Sequence, residues 1–376
     1  MRILLKKQGI LPPLLSYIVI NMLFIGKYVS RIHPTLSITA CVVYAISITV
    51  LLRWFQKRNG FHTPKGLLVG SLAVITLLAV MQFAIDPYTI RVDRWSAIHY
   101  FIQALLQGSY PYEAGTHLHG YGSPFPVWQA FHIPFYLLGN VGLSFIIATG
   151  LFIHSMYRLW GTKTGYLTLA LLVCSPAYLY EIAVRSDLMT NFLLASAIIN
   201  YLIIYRVTLP SHIVSIAVMC GLMASTRLTA VVPLFMLYFK EFIPLPAKDK
   251  TTFLLTVIAT FVLTFLPFLL WDAHQLLYSD HGPFALQTSQ IRKFDIIIFL
   301  IAAIWLSLSW KSQYQKLYAF TASILCFMVI YTFAFNMATR SDWSRIFEPV
   351  YDITYFNMSL VFFIAALASP KTHYPN

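Results

Sequence analysis

The sequence predicts an all-α integral membrane protein, and its composition and apolar pattern carry that prediction. Of its 376 residues, 59% are hydrophobic and only 10% are charged, which leaves too little polar surface to cover a water-soluble globule. Several uninterrupted apolar stretches reach the roughly 20 residues that cross a hydrocarbon core. Since lipid offers no hydrogen bonds to the backbone, such stretches fold as helices, and we expect one polytopic membrane domain over 1–376.

Charge and cysteine usage exclude two other classes of protein. The net charge is +13, but the basic residues are dispersed in short loops between apolar runs, whereas a nucleic-acid binder concentrates them in one stripe. The four cysteines lie inside apolar stretches without CxxC spacing, so neither a disulfide framework nor a zinc site is predicted. The N-terminus has a basic start and an apolar run without a small-x-small cleavage site, and we expect a retained first span.

The apolar runs predict about twelve spans with both termini in the cytoplasm. The loop RWFQKRNGFHTPKG is rich in Lys and Arg, so the positive-inside rule places it and the N-terminus in the cytoplasm. The third span then delivers Asp86 to the opposite side, where a long external loop over 86–140 begins. The predicted spans are 10–29, 35–53, 66–85, 141–157, 165–183, 188–205, 212–225, 228–239, 252–271, 294–309, 317–336 and 352–368.

The external loop over 86–140 contains one or two predicted interfacial helices. Five large apolar residues after Arg94 recur at helical spacing, which is typical of a helix lying along the membrane surface. They are Trp95, Ile98, Phe101, Ile102 and Leu105. The segment 124–139 contains three prolines and is either a short span or a second interfacial helix. The charges of the later loops favour a helix that does not cross.

Most carboxylates fall on the external side of this topology. Of the 13 Asp and Glu residues, only Glu241 and Asp249 are placed in the cytoplasm. Acidic residues contribute little to orientation, so their placement is an observation separate from the rule that set the topology. This placement indicates that the functional site lies on the non-cytoplasmic face. The alternative is that external loops are simply longer and more polar.

Asp93 is the first candidate for catalysis, because it directly precedes Arg94 and Trp95 at the start of the predicted helix. A carboxylate there can act as a general base at the membrane surface, where a lipid-linked substrate presents its head group. The alternative is that Asp93 caps the helix by accepting amide hydrogen bonds. Asp86 is the second candidate base, and beside Pro87 it equally fits the cap of a turn.

Arginines beside apolar sequence form the second group of candidates. The Arg-Ser-Asp triplet at 185–187 interrupts a nearly continuous apolar stretch. Arg227 interrupts another, where an unpaired Arg at depth would cost about 2.5 to 3.5 kcal/mol on insertion scales. Arg340 and Arg345 are further candidates, because guanidinium offers a fork of donors that matches phosphate oxygens. The alternatives are a tight external turn for Arg227, and snorkelling or pairing with nearby acids for Arg340 and Arg345.

The loop GSYPYEAGTHLHGYGSPFPVW is rich in Gly, Pro and aromatic residues, and we expect it to be folded. Tyr and Trp at a membrane boundary commonly form an aromatic belt, and their rings also stack on sugars. His117 and His119 form HxH without a further spaced ligand. Ordinary loop histidines are therefore favoured, and no metal site is predicted.

The order of motifs in this loop resembles the first external loop of C-type (GT-C) multi-spanning glycosyltransferases. The motifs are Asp93-Arg94-Trp95, a helical stretch, Gly108-Ser109-Tyr110-Pro111-Tyr112 and Ser123-Pro124-Phe125-Pro126. They are most similar to bacterial mannosyl- and arabinofuranosyltransferase-like members. The Arg185-Ser186-Asp187 triplet resembles a motif that those proteins carry in a second external loop. The resemblance covers about residues 86–190, and here the acidic loop follows the third predicted span, whereas in the family it typically follows the first.

The resemblance implies an inverting transfer of a sugar from a polyprenyl-phosphate donor to a glycan, lipid or protein acceptor. It places Asp93 as the base, with Asp86 as its alternative, on the outer face of a bacterial cytoplasmic membrane. The residues implied to contact substrate or the departing phosphate are Arg94, Tyr110, Tyr112, Arg185, Asp187, Arg227, Arg340 and Arg345. No cofactor is implied. Many members pair two carboxylates where this chain has Asp93 beside Arg94, which leaves metal use open.

Two other classes of protein also have many spans. A flippase or transporter of lipid-linked oligosaccharides typically shows paired halves with broken helices near the midplane, and no internal symmetry is visible in this sequence. An O-antigen-type polymerase would be favoured by a large late external loop. Here the longest predicted external loop is the early one, over 86–140.

Overall fold

The computed structural model describes residues 11–57, 63–288, 292, 294–310, 313–340 and 352–370. Within these residues the regular elements are all helical, which confirms the predicted all-α class. The helices are α1 (Leu11–Val29), α2 (Pro34–Lys57), α3 (Pro64–Ala84), α4 (Arg94–Leu106), α5 (Pro126–Leu137), α6 (Leu143–Trp160), α7 (Thr162–Val173), α8 (Pro176–Ala183), α9 (Leu188–Ile204), α10 (Ile213–Ala224), α11 (Val232–Phe242), α12 (Ala247–Trp271), α13 (Ala273–Leu277), α14 (Pro283–Thr288), α15 (Asp295–Ser309), α16 (Tyr314–Arg340) and α17 (Asn357–Ala368). Short 3₁₀ turns lie at Pro87–Thr89, Pro111–Glu113, Leu228–Val231 and Ile353–Phe356.

The longest helices show that the protein is embedded in a membrane. Among the described residues, six helices are long and apolar enough to cross a bilayer, namely α1, α2, α3, α6, α12 and α16. A seventh span results if α7 and α8, which are bent by 68° at a short break, are counted together. Most of the apolar side chains of α2, α3 and α12 are not buried within the protein, as expected for helices that face lipid.

Each of the apolar runs predicted as a span contains a helix or, at 165–183, the α7–α8 pair. The number of crossings and their orientation stay predictions. A helix also forms within 124–139, as α5, and it contains Pro134. Whether α5 crosses the membrane likewise stays a prediction.

Contacts between the helices divide the chain into two compact units, where the sequence predicts one membrane domain. Unit 1 comprises Met1–Leu77, Gly150–Glu181 and Trp310–Asn376. Unit 2 comprises Leu78–Thr149 and Ile182–Ser309. The long loop after α3 and all the candidate residues between Asp86 and Arg227 belong to unit 2.

In unit 1, polar side chains of α1 close the break between α7 and α8. The Tyr17 hydroxyl donates to the carbonyl oxygen of Leu171 at 2.6 Å. The side-chain oxygen of Asn21 accepts from the Ser175 hydroxyl at 2.6 Å and from the Ala177 amide at 3.1 Å. Since a helix break frees backbone groups that lipid cannot satisfy, these contacts stabilise the bend.

Unit 2 has an apolar core built on α4. Four of the five apolar residues of its predicted face are buried against protein, and Leu105 packs against them. They are Trp95, Ile98, Phe101 and Ile102, and they pack with Tyr112, Phe125, Trp128, Val141, Phe265 and Leu276. Because protein covers this face, α4 is fixed within unit 2, and its position at the membrane surface stays a prediction.

Candidate active site

Asp93 lies immediately before α4, and a tight hairpin formed by residues 115–121 closes over it. The Asp93 Oδ2 accepts a hydrogen bond from the Thr116 hydroxyl at 3.0 Å. The Thr116 Oγ1 accepts from the amide of Gly120 at 2.9 Å, and the Thr116 amide donates to the Gly120 carbonyl at 2.8 Å. Within the described residues Asp93 Oδ1 has no hydrogen-bond partner, and the residue is only half-buried. The carboxylate is therefore fixed through one oxygen while the other is available to a proton.

Asp93 occupies the N-cap position of α4, where its backbone carbonyl accepts from the Ala97 amide at 2.9 Å. Its side chain makes no hydrogen bond to the first amides of α4 and accepts from Thr116 instead. The Asp86 side chain does cap a turn, since its Oδ1 accepts from the Tyr88 amide at 3.0 Å. Of the two candidate bases, Asp93 is therefore the one whose carboxylate makes no capping hydrogen bond.

His117 makes a second link between the hairpin and α4. Its Nε2 donates to the carbonyl oxygen of Ile90 at 3.2 Å, and its Nδ1 lies 2.7 Å from the Ser96 hydroxyl oxygen. Its ring also packs beside Trp95, with 5.2 Å between the ring centroids. Both nitrogens are thus engaged, which agrees with an ordinary loop histidine. Among the described residues, no group of three or more His, Cys, Asp or Glu side chains gathers as a metal site.

Asp187 is buried in the turn between α8 and α9, where it pairs with an arginine and an indole. Its Oδ2 accepts from the Arg227 guanidinium at 2.8 Å and from Trp128 Nε1 at 2.6 Å. Burial acts to raise the pKa of Asp187, but the positive charges of Arg227 and Arg94 outweigh it and hold that pKa below its usual value. Asp187 is therefore ionised at neutral pH.

Arg94 follows Asp93 directly in the chain, and its charge acts on Asp187 together with that of Arg227. The group thus contains two carboxylates, Asp93 and Asp187, and two guanidinium groups, Arg94 and Arg227. The donor fork of arginine matches the oxygens of a phosphate, so an anionic group of this kind suits the two arginines.

His132 on α5 contributes no charge to this group. Its Nδ1 lies 2.8 Å from the carbonyl oxygen of Trp128, and its Nε2 lies 2.9 Å from the Ser144 hydroxyl. Complete burial lowers the pKa of His132 to about 4, although its hydrogen bond to Trp128 and the charge of Asp187 act to raise it. The imidazole is therefore neutral at physiological pH and serves to hold α5.

The geometry of unit 2 thus relates Asp93 and Arg94 to the Asp187–Arg227 pair. No protein-family model, curated protein or solved structure matches this chain. The chemistry available to the group follows from its atoms: a carboxylate oxygen that can take a proton, and guanidinium groups that can stabilise an anion.

Tyr110 and Tyr112, two of the predicted substrate-binding residues, attach the loop over 86–140 to other parts of unit 2. The Tyr110 hydroxyl donates to the carbonyl oxygen of Asp272 at 3.1 Å, at the end of α12. Tyr112 is buried, and its ring packs against those of Phe101 and Phe268 at centroid distances of 4.8 and 5.4 Å. The contacts of both tyrosines are with the core of unit 2, so their observed role is structural.

Arg185 closes the end of α3. Its guanidinium donates to the carbonyl oxygens of Gln82 and Ile85, and the charge of Asp86 lies close to it. Arg185 adopts a left-handed backbone with φ of 52°, which is uncommon for a residue with a side chain. Arg185 therefore caps a helix, and of the predicted phosphate ligands it is Arg94 and Arg227 that act on Asp187.

The side chains of the last two predicted arginines, Arg340 and Arg345, lie outside the described residues. Arg340 is the final residue of α16. Arg345 lies wholly outside the described residues. Their roles as phosphate ligands stay predictions.

Four residues that build the site do not stand out in the sequence, namely Thr116, Gly120, Trp128 and Gln287. Gln287 of α14 accepts from the Leu228 amide at 3.1 Å and donates to the Ser123 carbonyl at 2.8 Å, which ties the turn after Arg227 to the first loop. Only Trp128 has a sequence signal, because it follows the proline-bearing motif at 123–126. The other contacts join residues that no periodic pattern relates.

Proposed function

We propose that this protein is a glycosyltransferase that moves a sugar from a polyprenyl-phosphate donor to an acceptor hydroxyl on the outer face of a bacterial cytoplasmic membrane. The acceptor is a glycan, lipid or protein. The observation that carries the proposal is the arrangement of Asp93, whose Oδ1 has no hydrogen-bond partner among the described residues, next to Arg94, whose charge acts on Asp187 together with that of Arg227. A general base and cationic groups that stabilise the leaving phosphate are what such a transfer needs.

In the proposed reaction, the acceptor oxygen attacks the anomeric carbon of the donor and forms the new glycosidic bond. The bond between that carbon and the phosphate oxygen breaks, and its electron pair leaves with the polyprenyl phosphate. Asp93 takes the acceptor proton on Oδ1, and attack from the side opposite the leaving group inverts the anomeric carbon. Arg94 and Arg227 stabilise the negative charge that grows on the phosphate.

A lipid-linked donor suits a protein whose helices are embedded in a membrane. The sequence contains no DxD motif, the pattern typical of enzymes that use nucleotide sugars. The net positive charge of the chain also favours an anionic lipid over an uncharged donor.

The donor class is tested with purified protein and a panel of radiolabelled polyprenyl-phosphate sugars, with nucleotide sugars of the same labels as controls. We expect label to move into membrane acceptors only from the polyprenyl-phosphate series. Equal transfer from nucleotide sugars would contradict the lipid donor, and a lack of transfer from every donor would contradict the glycosyltransferase.

A flippase for lipid-linked oligosaccharides is the second candidate, because the α7–α8 pair is a broken helix. In transporters, the free ends of such half-helices bind substrate or ions. Here Asn21 accepts the amide hydrogen of Ala177 at the start of α8, so a protein group already occupies that end. The break alone therefore supports a flippase less well than the unit 2 group supports a transferase.

Replacing Gly120 by alanine is expected to lower transfer by about 10- to 100-fold, since misplacing a reacting group by about 1 Å has effects of this size. A Cβ at position 120 would lie 2.7 Å from Asp93 Oδ2 and 3.3 Å from Thr116 Oγ1. The Asp93 carboxylate, at the end of a flexible side chain, must then move. This movement costs little stability, but it takes the carboxylate away from the position where it would act as a base. The initial transfer rate and the thermal unfolding midpoint are measured side by side.

The matched control is Gly115→Ala in the same hairpin, where a Cβ would meet only the Gly120 carbonyl at an ordinary 3.8 Å. We expect wild-type transfer from this control. Equal transfer by Gly120→Ala and Gly115→Ala would show that the hairpin does not position a reacting carboxylate.

A further inference from the structure

Two aromatic rings from different loops of unit 2 are stacked at the surface. The rings of Tyr121 and His281 lie face to face, with 4.3 Å between their centroids and 13° between their planes. Tyr121 is 39% exposed, and His281 is also exposed. Each ring covers only one face of the other, and both residues are partly open to the surroundings.

Hydrogen bonds in both loops hold the stack in place. Tyr121 forms a β-bridge with Gly115 across the hairpin that covers Asp93. On the other side, the His281 amide donates to the Ser279 hydroxyl at 3.2 Å, and the Gly282 amide donates to the Ser279 carbonyl at 2.9 Å. The rings are therefore set before a ligand arrives, which reduces the ordering cost of binding.

The stack lies on the hairpin that covers the proposed base. Tyr121 pairs with Gly115, and Thr116, the residue after Gly115, donates to Asp93 Oδ2 at 3.0 Å. A glycan that rests on the Tyr121–His281 stack therefore lies against the same hairpin that holds Asp93.

We propose that the Tyr121–His281 stack binds a sugar ring of the acceptor, so that the acceptor of this enzyme is a glycan. The inference rests on the proposed function and narrows its acceptor class. A sugar ring has a face of C–H groups that packs on an aromatic ring, while its hydroxyls point sideways to polar neighbours. A hydroxyl beside Asp93 is the group that the proposed transfer requires.

The position of the Tyr121–His281 stack differs from that of aromatic-belt residues. Belt residues anchor the ends of spanning helices at the interface. Tyr121 lies in the hairpin and His281 in the turn between α13 and α14, and their rings are packed on each other. Paired rings on two loops, one of which is the hairpin that covers Asp93, fit a ligand better than an anchor.

The test has a binding arm that needs no donor and a kinetic arm that does. In the first, equilibrium dialysis measures binding of radiolabelled linear hexasaccharides of mannose, glucose, galactose and arabinofuranose to the purified full-length protein. In the second, transfer from the polyprenyl-phosphate sugar is measured with the bound hexasaccharide, with a serine- and threonine-containing peptide and with octanol as acceptors. The variants are Tyr121→Ala, Tyr121→Phe and the control Tyr205→Ala, an exposed tyrosine at the other end of α9 from Asp187.

We expect Tyr121→Ala to weaken hexasaccharide binding and to raise the KM for that acceptor by at least about fivefold, with kcat nearly unchanged. Tyr121→Phe keeps the ring and should behave as wild type, as should Tyr205→Ala. The lack of any hexasaccharide binding by wild type, an unchanged KM in Tyr121→Ala, or preferred use of the peptide or octanol would each overturn glycan binding by the stack. Tyr121-dependent binding without transfer from any donor would uphold glycan binding by the stack and contradict the proposed transferase.

Discussion

Replacing Asp93 by asparagine is expected to lower the transfer rate by about 100-fold or more, because a positioned general base contributes about 10²- to 10⁴-fold. Asparagine has nearly the shape of aspartate, and its side-chain oxygen can still accept the Thr116 hydrogen bond that Asp93 accepts at 3.0 Å. It cannot take a proton from the acceptor. The fold is therefore retained while the proton acceptor is removed, and the loss should appear in kcat at saturating donor and acceptor.

The matched control for this substitution is Glu113→Gln, which neutralises an exposed carboxylate in the same loop. We expect Glu113→Gln to transfer at the wild-type rate and both variants to unfold at the wild-type midpoint. Wild-type kcat in Asp93→Asn would remove Asp93 as the base and make Asp86 the next carboxylate to test.

The largest loss of stability is expected from Asp187→Ala, which should lower the free energy of unfolding by about 3 to 5 kcal/mol, the usual effect of breaking a buried ion pair. The substitution leaves Arg227 buried without its carboxylate and Trp128 Nε1 without its acceptor. Because folding lowers the pKa of Asp187, the difference from wild type is fully present above the ordinary Asp pKa of about 3.9. It should shrink as the pH falls through the folded-state pKa below that value.

Unfolding in mixed micelles measures this effect, with Asp280→Ala as an exposed-carboxylate control that should stay within about 0.5 kcal/mol of wild type. The double variant Asp187→Leu/Arg227→Met removes both charges. We expect it to be more stable than Asp187→Ala, since it leaves no buried guanidinium without a carboxylate. Equal stability of Asp187→Ala and Asp280→Ala would show that the buried pair does not hold unit 2 together.

The fold class and the helix positions follow from local sequence. A run of apolar residues determines where a helix can lie in lipid, and the spacing from Trp95 to Ile102 correctly predicts the buried face of α4. What covers that face does not follow from the spacing. Tyr112, Phe125 and Phe265 come from three separate segments, so no local pattern predicts that they cover this face.

The candidate site is less predictable, because it depends on contacts between distant residues. Asp93 and the arginines stand out as charges beside apolar sequence, but the role of Asp93 depends on Thr116, 23 residues away. The pairing of Asp187 with Arg227 spans 40 residues and two helices. Arg185 is the opposite case. Its position near Asp187 in the sequence suggested a ligand of the substrate, whereas its guanidinium caps α3.

A single measurement in sealed proteoliposomes tests the central claim, that this membrane protein breaks the bond between sugar and lipid phosphate. The donor carries one label in its sugar and another in its polyprenyl chain, and a hydroxyl acceptor is supplied outside. We predict equal amounts of sugar-labelled product and free labelled polyprenyl phosphate, both strongly reduced with Asp93→Asn. Movement of the doubly labelled donor across the bilayer with both labels still joined would contradict the transferase and identify a flippase.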